Sequence, residues 1–243
     1  MNYEIFAEVY DELMDEDLYD RWLGYTKEHI EESSGKILEL ACGTGVLAVR
    51  LAQEGYAVTG LDLSPEMLKT AYQRSVEAEI YLPLIEGDML NLEDIGFYDM
   101  ITCYCDSLCY LPDEEALGKV FKEVASCLEE GGQFLFDVHS THQTDNIFPG
   151  YSFNDQNEIV SFLWNSYKGD VEHSVEHDLS FFVLEEETGL YRRKKETHKE
   201  RTYPIETYKK LLKEAGFSSI KVTADFDQEI KSDSFRWFFA CKR

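Results

Sequence analysis

The stretch that decides the fold is Leu38-Glu39-Leu40-Ala41-Cys42-Gly43-Thr44-Gly45. Residues 36–40 form a short apolar run typical of a buried strand, and the two glycines after it allow a sharp turn. Residues 46–54 then have helical spacing and end at Gly55. A glycine turn between a strand and a helix leaves backbone N–H groups open to a ligand. The stretch therefore predicts a binding edge at the carboxyl end of the first strand.

The second part of the pattern is an acidic residue one strand further on. Residues 57–61 form another short apolar run, which stops at Asp62, nineteen residues after Gly43. Neighbouring parallel strands end at one edge of a sheet, so Asp62 is expected beside the glycine turn, where a carboxylate can accept both hydroxyls of a ribose. Ser64 and Pro65 then begin a helix, as N-cap and first helical residue. These residues predict a ribose-containing cofactor; a helix-capping role is the structural alternative for Asp62.

The rest of the chain continues the alternation of strands and helices. Apolar runs predict strands over 80–85, 98–104 and 133–138, and short connections between them indicate a doubly wound parallel sheet, an α/β fold. Residues 219–225 and 235–242 are strand-like and joined by a short loop, so they must pair antiparallel. The prediction is a seven-stranded sheet whose last strand is antiparallel.

Residues 141–203 interrupt this alternation. They hold three strand-like runs, 158–167, 171–184 and 190–203, which predict an inserted antiparallel β meander. Before the first strand, residues 2–33 carry apolar side chains at helical spacing and predict two amphipathic helices. The expected domains are an N-terminal helical segment over 1–35, a core over 36–140 and 204–243, and an inserted β subdomain over 141–203.

The composition excludes several classes of protein. The chain has 243 residues, of which 44% are hydrophobic, so it is neither disordered nor of low complexity. Its formal net charge of −25 repels phosphate backbones and anionic lipids, and no apolar run is long enough to cross a bilayer. Nucleic acid and membrane are therefore poor candidate partners. The sequence shows neither a secretory signal nor the cysteine spacing of a zinc or redox motif, so we expect a cytoplasmic protein with reduced thiols.

Two kinds of ribose-containing cofactor fit the glycine turn. Gly43-x-Gly45-x-x-Ala48 satisfies the dinucleotide fingerprint, which leaves an NAD-dependent oxidoreductase open. Glu39, four residues before the first glycine, instead suits a cationic ligand group. The helices before the first strand and the antiparallel hairpin at the end of the sheet also differ from a fold with two mononucleotide-binding halves. These three features count against NAD.

The same residues resemble the class I S-adenosylmethionine-dependent methyltransferases, and the resemblance covers nearly the whole chain. Glu39-x-x-x-Gly43-x-Gly45 is similar to that family's glycine motif, Asp62 to its ribose-binding acid, and Gly87-Asp88-Met89 to the loop beside the adenine. The resemblance implies a Rossmann-like sheet, S-adenosyl-L-methionine as cofactor, and an N-terminal helical lid. The cofactor-binding residues that it implies are Tyr10, Tyr19, Arg21, Glu39, Ala41, Gly43, Gly45, Asp62, Leu63, Met67, Asp88, Met89 and Cys105.

Several of these assignments have a structural alternative. Asp88 could be an ordinary turn residue, and Met67 could belong to the core rather than pack on the adenine. Tyr10 and Tyr19 could simply pack as parts of amphipathic helices. Arg21 could pair with a nearby acid instead of the carboxylate of the cofactor. The position of each side chain in the fold helps to distinguish its cofactor-binding role from its structural alternative.

The segments around Tyr10 and over 105–111, with the insertion, resemble an uncharacterised bacterial subgroup and the small-molecule N-methyltransferases that act on glycine-type amines and nucleotide-linked amino sugars. This resemblance implies methyl transfer to a small polar molecule, at nitrogen, by a monomer or a homodimer. Tyr110 and Asp106 follow the fourth strand and His139 ends the fifth. They are the candidate catalytic residues, able to orient or deprotonate an acceptor amine.

Two other functions stay open alongside methyl transfer. One is a sensor or partner subunit that binds S-adenosylmethionine without catalysis, because this chemistry requires no particular catalytic residue; the other is the NAD-dependent oxidoreductase. No metal site is expected. His173 and His177 are four residues apart, but they lie in a strand-like run rather than on a helix.

Overall fold

The computed structural model describes residues 15–30, 35–185 and 188–243, and Tyr10 lies outside this part of the chain. The helices are α1 (Glu16–His29), α2 (Val46–Gln53), α3 (Pro65–Glu77), α4 (Glu114–Cys127) and α5 (Ile205–Glu214). The strands of the larger sheet are β1 (Lys36–Leu40), β2 (Ala57–Asp62), β3 (Leu84–Glu86), β4 (Tyr98–Cys103), β5 (Leu128–His139), β10 (Ser219–Ala224) and β11 (Arg236–Lys242). The remaining strands are β6 (Ser152–Gln156), β7 (Val160–Lys168), β8 (Ser174–Glu185) and β9 (Leu190–Arg201).

The larger sheet has seven strands in the order β10-β11-β5-β4-β1-β2-β3. The strands from β5 to β3 run parallel, whereas β11 pairs antiparallel with both β5 and β10. This confirms the predicted α/β fold with its antiparallel last strand. The strand order reverses between β1 and β4, and a crevice forms there outside the carboxyl ends of the strands.

The strand boundaries differ from the prediction at two places. The third strand is only Leu84–Glu86, shorter than the predicted 80–85. The fifth strand begins at Leu128, before the predicted 133–138, and runs through Gly131-Gly132. It can do so because its pairing with β4 shifts register there, which allows a bulge in one continuous strand.

The smaller sheet is an antiparallel meander of four strands in the order β6-β7-β8-β9. The sequence predicted three of them and missed β6. All five residues of β6 are exposed, so the alternation of buried and exposed side chains that reveals a strand is absent. The meander carries its own small apolar cluster, which includes Phe162, Leu179 and Phe181.

Two apolar layers cover the faces of the larger sheet. One contains Phe121, Phe134 and Phe136, and the other contains Trp22 from α1 together with Phe238. Among the described residues, no helix is both long and apolar enough to span a bilayer. The two layers fix the carboxyl ends of β1, β2, β4 and β5, where the functional residues lie.

Candidate active site

The glycine turn after β1 uses three left-handed residues, Ala41 (φ 52°), Gly43 (φ 55°) and Gly45 (φ 74°). Glycine is favoured at positions 43 and 45 for different reasons. A Cβ on Gly45 would come within 2.8 Å of the Cβ of Ala71 on α3, so this glycine allows α2 and α3 to pack closely. A Cβ on Gly43 would meet nothing within 4 Å. Space beside Gly43 is therefore open to a ligand, in a conformation that other residues adopt with difficulty.

Asp62, at the end of β2, closes the turn from the neighbouring strand. Its Oδ2 accepts a hydrogen bond from the Gly43 N–H at 2.8 Å, and its Oδ1 accepts one from the Ser64 N–H at 2.9 Å. The helix cap of α3 is Ser64, whose hydroxyl accepts from the Met67 N–H at 3.2 Å. Burial raises the pKa of Asp62. Each carboxylate oxygen keeps a lone pair in this arrangement, so Asp62 can still accept from a ribose.

Glu39 lies within β1 directly below the turn, and its side chain is 6% exposed. Its Oε2 is buried without a hydrogen-bond partner. Burial, reinforced by the negative charge of Asp62, raises the pKa of Glu39 to about 8. A buried carboxyl group with an unpartnered oxygen is costly unless a donor or a cation satisfies it. The site therefore fits the cationic end of S-adenosylmethionine better than the pyrophosphate of NAD.

The predicted adenine contacts surround the carboxyl ends of β2 and β3. Leu63 is 64% exposed beside Asp62, whereas Met67 is buried. Asp88 is exposed, and its Oδ1 accepts a hydrogen bond from the Leu90 N–H at 2.9 Å. Met89 is half-buried against the core. Leu63 and Asp88 are thus accessible to a ligand, and Met67 lies among core side chains.

Helix α1 packs over the carboxyl ends of β4 and β5 through Trp22. The Trp22 indole N–H donates to Asp137 Oδ2 at 2.8 Å, and its ring stacks on Tyr104. Tyr19 lies edge-on to Trp22, with their ring centroids 5.6 Å apart. Arg21 points elsewhere: its guanidinium lies 3.9 Å from the ring centroid of Phe226, in the loop between β10 and β11. The structure therefore does not bring Arg21 to the glycine turn.

A second group of polar residues gathers where β4 and β5 end. Cys105 and Asp106 both have left-handed φ angles, 56° and 50°, which turn the chain sharply after β4. The Asp106 N–H donates to Asp137 Oδ1 at 3.1 Å. Arg236, at the start of β11, forms ion pairs with both Asp106 and Asp137. Asp106 Oδ2 lies 3.2 Å from His139 Nε2, so two of the predicted catalytic residues are in contact.

The insertion adds a carboxylate to this group. Glu200, near the end of β9, is 5% exposed, and its Oε2 lies 3.1 Å from His139 Nε2. Its Oε1 lies 3.7 Å from His177 Nε2. Tyr110 lies beside the same strand, with its hydroxyl 3.1 Å from His198 Nδ1. We refer to Asp106, Asp137, His139, Glu200 and Arg236 as the mouth cluster.

The environment of the mouth cluster fixes its protonation. Burial alone would lower the pKa of His139, but the carboxylates of Asp106 and Glu200 raise it to about 9. Burial opposes ionisation of Asp106, yet Arg236 and His139 outweigh burial and hold its pKa well below the ordinary value. Burial and Glu200 raise the pKa of Tyr110. At neutral pH His139 is therefore an imidazolium and Tyr110 a neutral phenol, so both are hydrogen-bond donors rather than free bases.

The donor types in the mouth cluster also resemble those of a metal site. Asp106, His139 and Glu200 each offer one ligand atom, and the three atoms lie within 4.8 Å of one another. Two features favour internal ion pairing instead. Arg236 already pairs with Asp106, and the protonated ring of His139, which faces both carboxylates, has no lone pair for a metal ion.

Sequence reasoning missed Asp137, Glu200 and Arg236. Asp137 lies within an apolar strand, and Arg236 contacts the cluster only because β11 pairs antiparallel with β5, where Arg236 faces His139. Glu200 stands in the run 192–201, which is rich in charged side chains, a composition that favours a solvated strand face. The alternation in β9 contained the signal, since His198 and Glu200 are buried while Lys199 between them is exposed.

The fold and the site together define a class of protein. The sheet is doubly wound with an antiparallel last strand, and a glycine turn faces an acidic residue at the end of β2. This combination is typical of nucleotide-cofactor-binding folds of the methyltransferase type. Residues 37–132 match a family model described as a methyltransferase domain. The chain is 43% identical over 245 residues to YqeM of Bacillus subtilis (strain 168), which its name classes with the methyltransferases, covering 100% of this chain and 98% of YqeM. The chain belongs to the S-adenosylmethionine-dependent methyltransferases, and S-adenosylmethionine is its cofactor.

Other similar proteins cover different shares of the chain. A crystal structure of an S-adenosylmethionine-dependent methyltransferase from Clostridium acetobutylicum ATCC 824 has a TM-score of 0.85 at 30% identity, over 99% of this chain and 98% of that one. A ubiquinone biosynthesis O-methyltransferase of Xanthomonas axonopodis pv. citri (strain 306) is 31% identical over 49% of each chain. A glycine/sarcosine N-methyltransferase of Parasynechococcus marenigrum (strain WH8102) is 27% identical over 96% of this chain and 81% of its own length.

Proposed function

We propose that this methyltransferase acts on a small polar amine and methylates its nitrogen. The observation that carries the proposal is the charge of the mouth cluster. It holds three buried carboxylates, Asp106, Asp137 and Glu200, against two cations, Arg236 and His139. An amine becomes a cationic ammonium when it is methylated, whereas a methylated hydroxyl becomes neutral once its proton is lost. An acidic wall stabilises the charge that develops on nitrogen.

The cofactor is proposed to lie across the carboxyl ends of β1, β2 and β3. Asp62 accepts from the ribose hydroxyls, Asp88 from the adenine amine, and Glu39 faces the cationic end of the molecule. Gly43 leaves the space in which the ribose sits. Tyr19 belongs to the proposed lid over this site, a role that Tyr10 would share. Arg21 would have to leave Phe226 to reach the carboxylate of the cofactor.

S-adenosylmethionine, when bound, supplies a methyl group on a cationic sulfur. The acceptor nitrogen must present a lone pair in line with the carbon–sulfur bond: the nitrogen–carbon bond forms, the carbon–sulfur bond breaks, and its electron pair stays on sulfur. The protein contributes mainly position, which is worth about 7–11 kcal/mol in well-oriented reactions. Tyr110 and His139 hold their protons, so neither acts as a base towards the acceptor. The product ammonium releases its proton to water after it leaves the acidic wall.

The relatives support nitrogen as the acceptor atom. The O-methyltransferase of Xanthomonas matches about half of this chain, whereas the glycine/sarcosine N-methyltransferase matches 96% of it. The net charge of −25 supports a small molecule rather than a nucleic acid as substrate. All six cysteines are free thiols, which agrees with the proposed cytoplasmic location. A monomer or a homodimer remains the expected assembly.

Transfer of a labelled methyl group tests this proposal. S-adenosylmethionine carrying a ¹³C-methyl group is incubated with amino acids, polyamines, amino sugars and a small-molecule cell extract, and the product is analysed by NMR. We expect the label on nitrogen of a primary or secondary amine. Label on oxygen or carbon would overturn the nitrogen assignment. Tight binding of the cofactor without any transfer would favour the non-catalytic sensor.

A further inference from the structure

Glu200 is the buried group of the mouth cluster whose bonding is least complete. Its Oε2 is buried without a hydrogen-bond partner, although it lies 3.1 Å from His139 Nε2. Nε2 of His139 carries at most one hydrogen, and Asp106 Oδ2 lies 3.2 Å from the same nitrogen. One hydrogen cannot point at both oxygens. Asp106 is also paired with Arg236, so the oxygen that lacks a donor is the one on Glu200.

The other oxygen of Glu200 lies beside His177 of the insertion. His177 Nδ1 accepts a hydrogen bond from the Trp164 indole N–H at 3.1 Å. An indole nitrogen can only donate, so the neutral His177 ring carries its hydrogen on Nε2. This Nε2 faces Glu200 Oε1 at 3.7 Å and has no closer partner among the described residues. His177 Nε2 is thus the neighbour of Oε1, at a distance beyond a hydrogen bond, while Oε2 lies on the His139 side of the carboxylate.

A cavity next to Glu200 provides room for a small ligand. It measures about 250 Å³, and its wall includes Tyr110, Val175 and Glu200. Ligand pockets for drug-sized molecules range from about 300 to 1,000 Å³, so this volume suits a smaller molecule. The insertion thus brings together a cavity and a buried acceptor oxygen.

We infer that Glu200 is the residue that receives the acceptor amine, with a hydrogen bond from the substrate N–H to Oε2, and that it restricts the enzyme to primary and secondary amines. The inference rests on the proposed function. A neutral amine that donates one N–H to Glu200 has its lone pair directed away from that bond, towards the methyl group. A tertiary amine has no N–H to donate and leaves Oε2 unpartnered. The methylated ammonium keeps an N–H on the same oxygen until it dissociates.

Steady-state kinetics of Glu200→Gln test this role, using the amine that the wild-type enzyme methylates and its primary, secondary and tertiary forms. We expect KM for the amine to rise at least about tenfold, because a hydrogen bond to a charged acceptor is weakened. The dissociation constant of S-adenosylmethionine should stay within about twofold. Wild-type enzyme should methylate the primary and secondary forms and leave the tertiary form unchanged.

Glu196→Gln is the matched control. Glu196 lies on the same strand, and its carboxylate lies 3.1 Å from Nε2 of another histidine, His198, as Glu200 lies from His139. We expect Glu196→Gln to leave KM for the amine unchanged and Glu200→Asp to recover part of the loss. Calorimetry of the methylated amine with S-adenosylhomocysteine present measures the same contact without turnover.

The outcomes separate this inference from the proposed function. Wild-type enzyme that methylates no amine contradicts the function itself. Wild-type turnover with an unchanged KM in Glu200→Gln, or an equal effect of Glu196→Gln, overturns the role of Glu200 alone. A Glu200→Gln protein that loses cofactor affinity to the same extent as amine affinity would show a structural role instead.

Discussion

Asp62 shows how one side chain can serve the fold and a ligand together. Its two oxygens hold the backbone N–H groups of Gly43 and Ser64, and so join the turn after β1 to the start of α3. The remaining lone pairs are available for the two hydroxyls of a ribose. Asp62 therefore stabilises the glycine turn and can also bind the cofactor beside that turn.

Replacing Asp62 tests its contact with the cofactor. Asp62→Ala should weaken S-adenosylmethionine binding by about 1.5–3 kcal/mol, because a hydrogen bond to a charged group contributes about this much free energy. Isothermal calorimetry measures the change. Ser64→Ala is the control: it removes the cap of α3 and lowers the free energy of unfolding by about 0.5–2 kcal/mol, but leaves cofactor affinity unchanged. An unaltered affinity in Asp62→Ala would remove this residue from the site.

The location of a candidate residue could be predicted where its position in the sequence marks the end of a strand, although its role stays a prediction. Asp62, Asp106 and His139 each follow or end an apolar strand, and the fold brings such positions to one edge. Arg236 and Glu200 could not be found in this way, because their contacts depend on how β11 and β9 pair with other elements. A period of two in β9 would have indicated Glu200, had the basic side chains around it not suggested a solvated face.

At the scale of elements, α1 is held over the mouth by buried hydrogen bonds from Trp22 and from Thr26, whose hydroxyl lies 2.8 Å from that of Tyr104. The indole N–H of Trp22 donates to Asp137, which also pairs with Arg236. Trp22 is 1% exposed and stacks on Tyr104. This contact joins the helix to the same carboxylate that receives the backbone of Asp106. The position of α1 and the shape of the mouth are therefore coupled.

Trp22→Phe tests this coupling. The variant should lose about 2–4 kcal/mol of unfolding free energy, since the hydrogen bond is lost and the smaller ring leaves space. Its affinity for S-adenosylmethionine should also fall. Trp164→Phe makes the same chemical change in the insertion, where the indole donates to His177. Equal affinities in the two variants, measured by calorimetry beside urea unfolding, would contradict a role of α1 in the cofactor site.

The elements themselves were predictable where burial is periodic. Helices α2 and α3 and strands β1, β2 and β4 follow apolar runs with clear turn or cap residues at their ends. Strand β6 was missed because none of its residues is buried. The third strand was predicted to begin too early: the paired residues begin at Leu84, and Pro83 before it accepts from the Gly60 N–H but has no N–H to donate.

At the scale of the whole molecule, Glu39 makes stability depend on pH. Its pKa is about 8 in the folded chain against an ordinary value of 4.5. Between these values the folded chain keeps a proton that the unfolded chain loses. The free energy of unfolding therefore falls as the pH rises towards 8, and this penalty is absent below about pH 4.5.

Glu39→Gln should remove this penalty. The glutamine cannot ionise, so the stability of the variant relative to wild type should increase by roughly 2–3 kcal/mol as the pH is raised from 6 to 9. Urea unfolding at both pH values measures the difference. Glu77→Gln, at an exposed position on α3, is the control and should show no such gain. A parallel pH dependence of wild type and Glu39→Gln would show that Glu39 is not buried as a neutral acid.

A crystal structure with S-adenosylhomocysteine tests the placement of the cofactor most directly. We predict ribose hydroxyls within hydrogen-bond distance of Asp62, the amino group near Glu39, and the sulfur facing Tyr110 and the mouth cluster. A second cavity of about 360 Å³ has Lys36, Thr59 and Phe97 in its wall, towards the other ends of the strands. A ligand bound there, with the glycine turn empty or closed by side chains, would contradict the account.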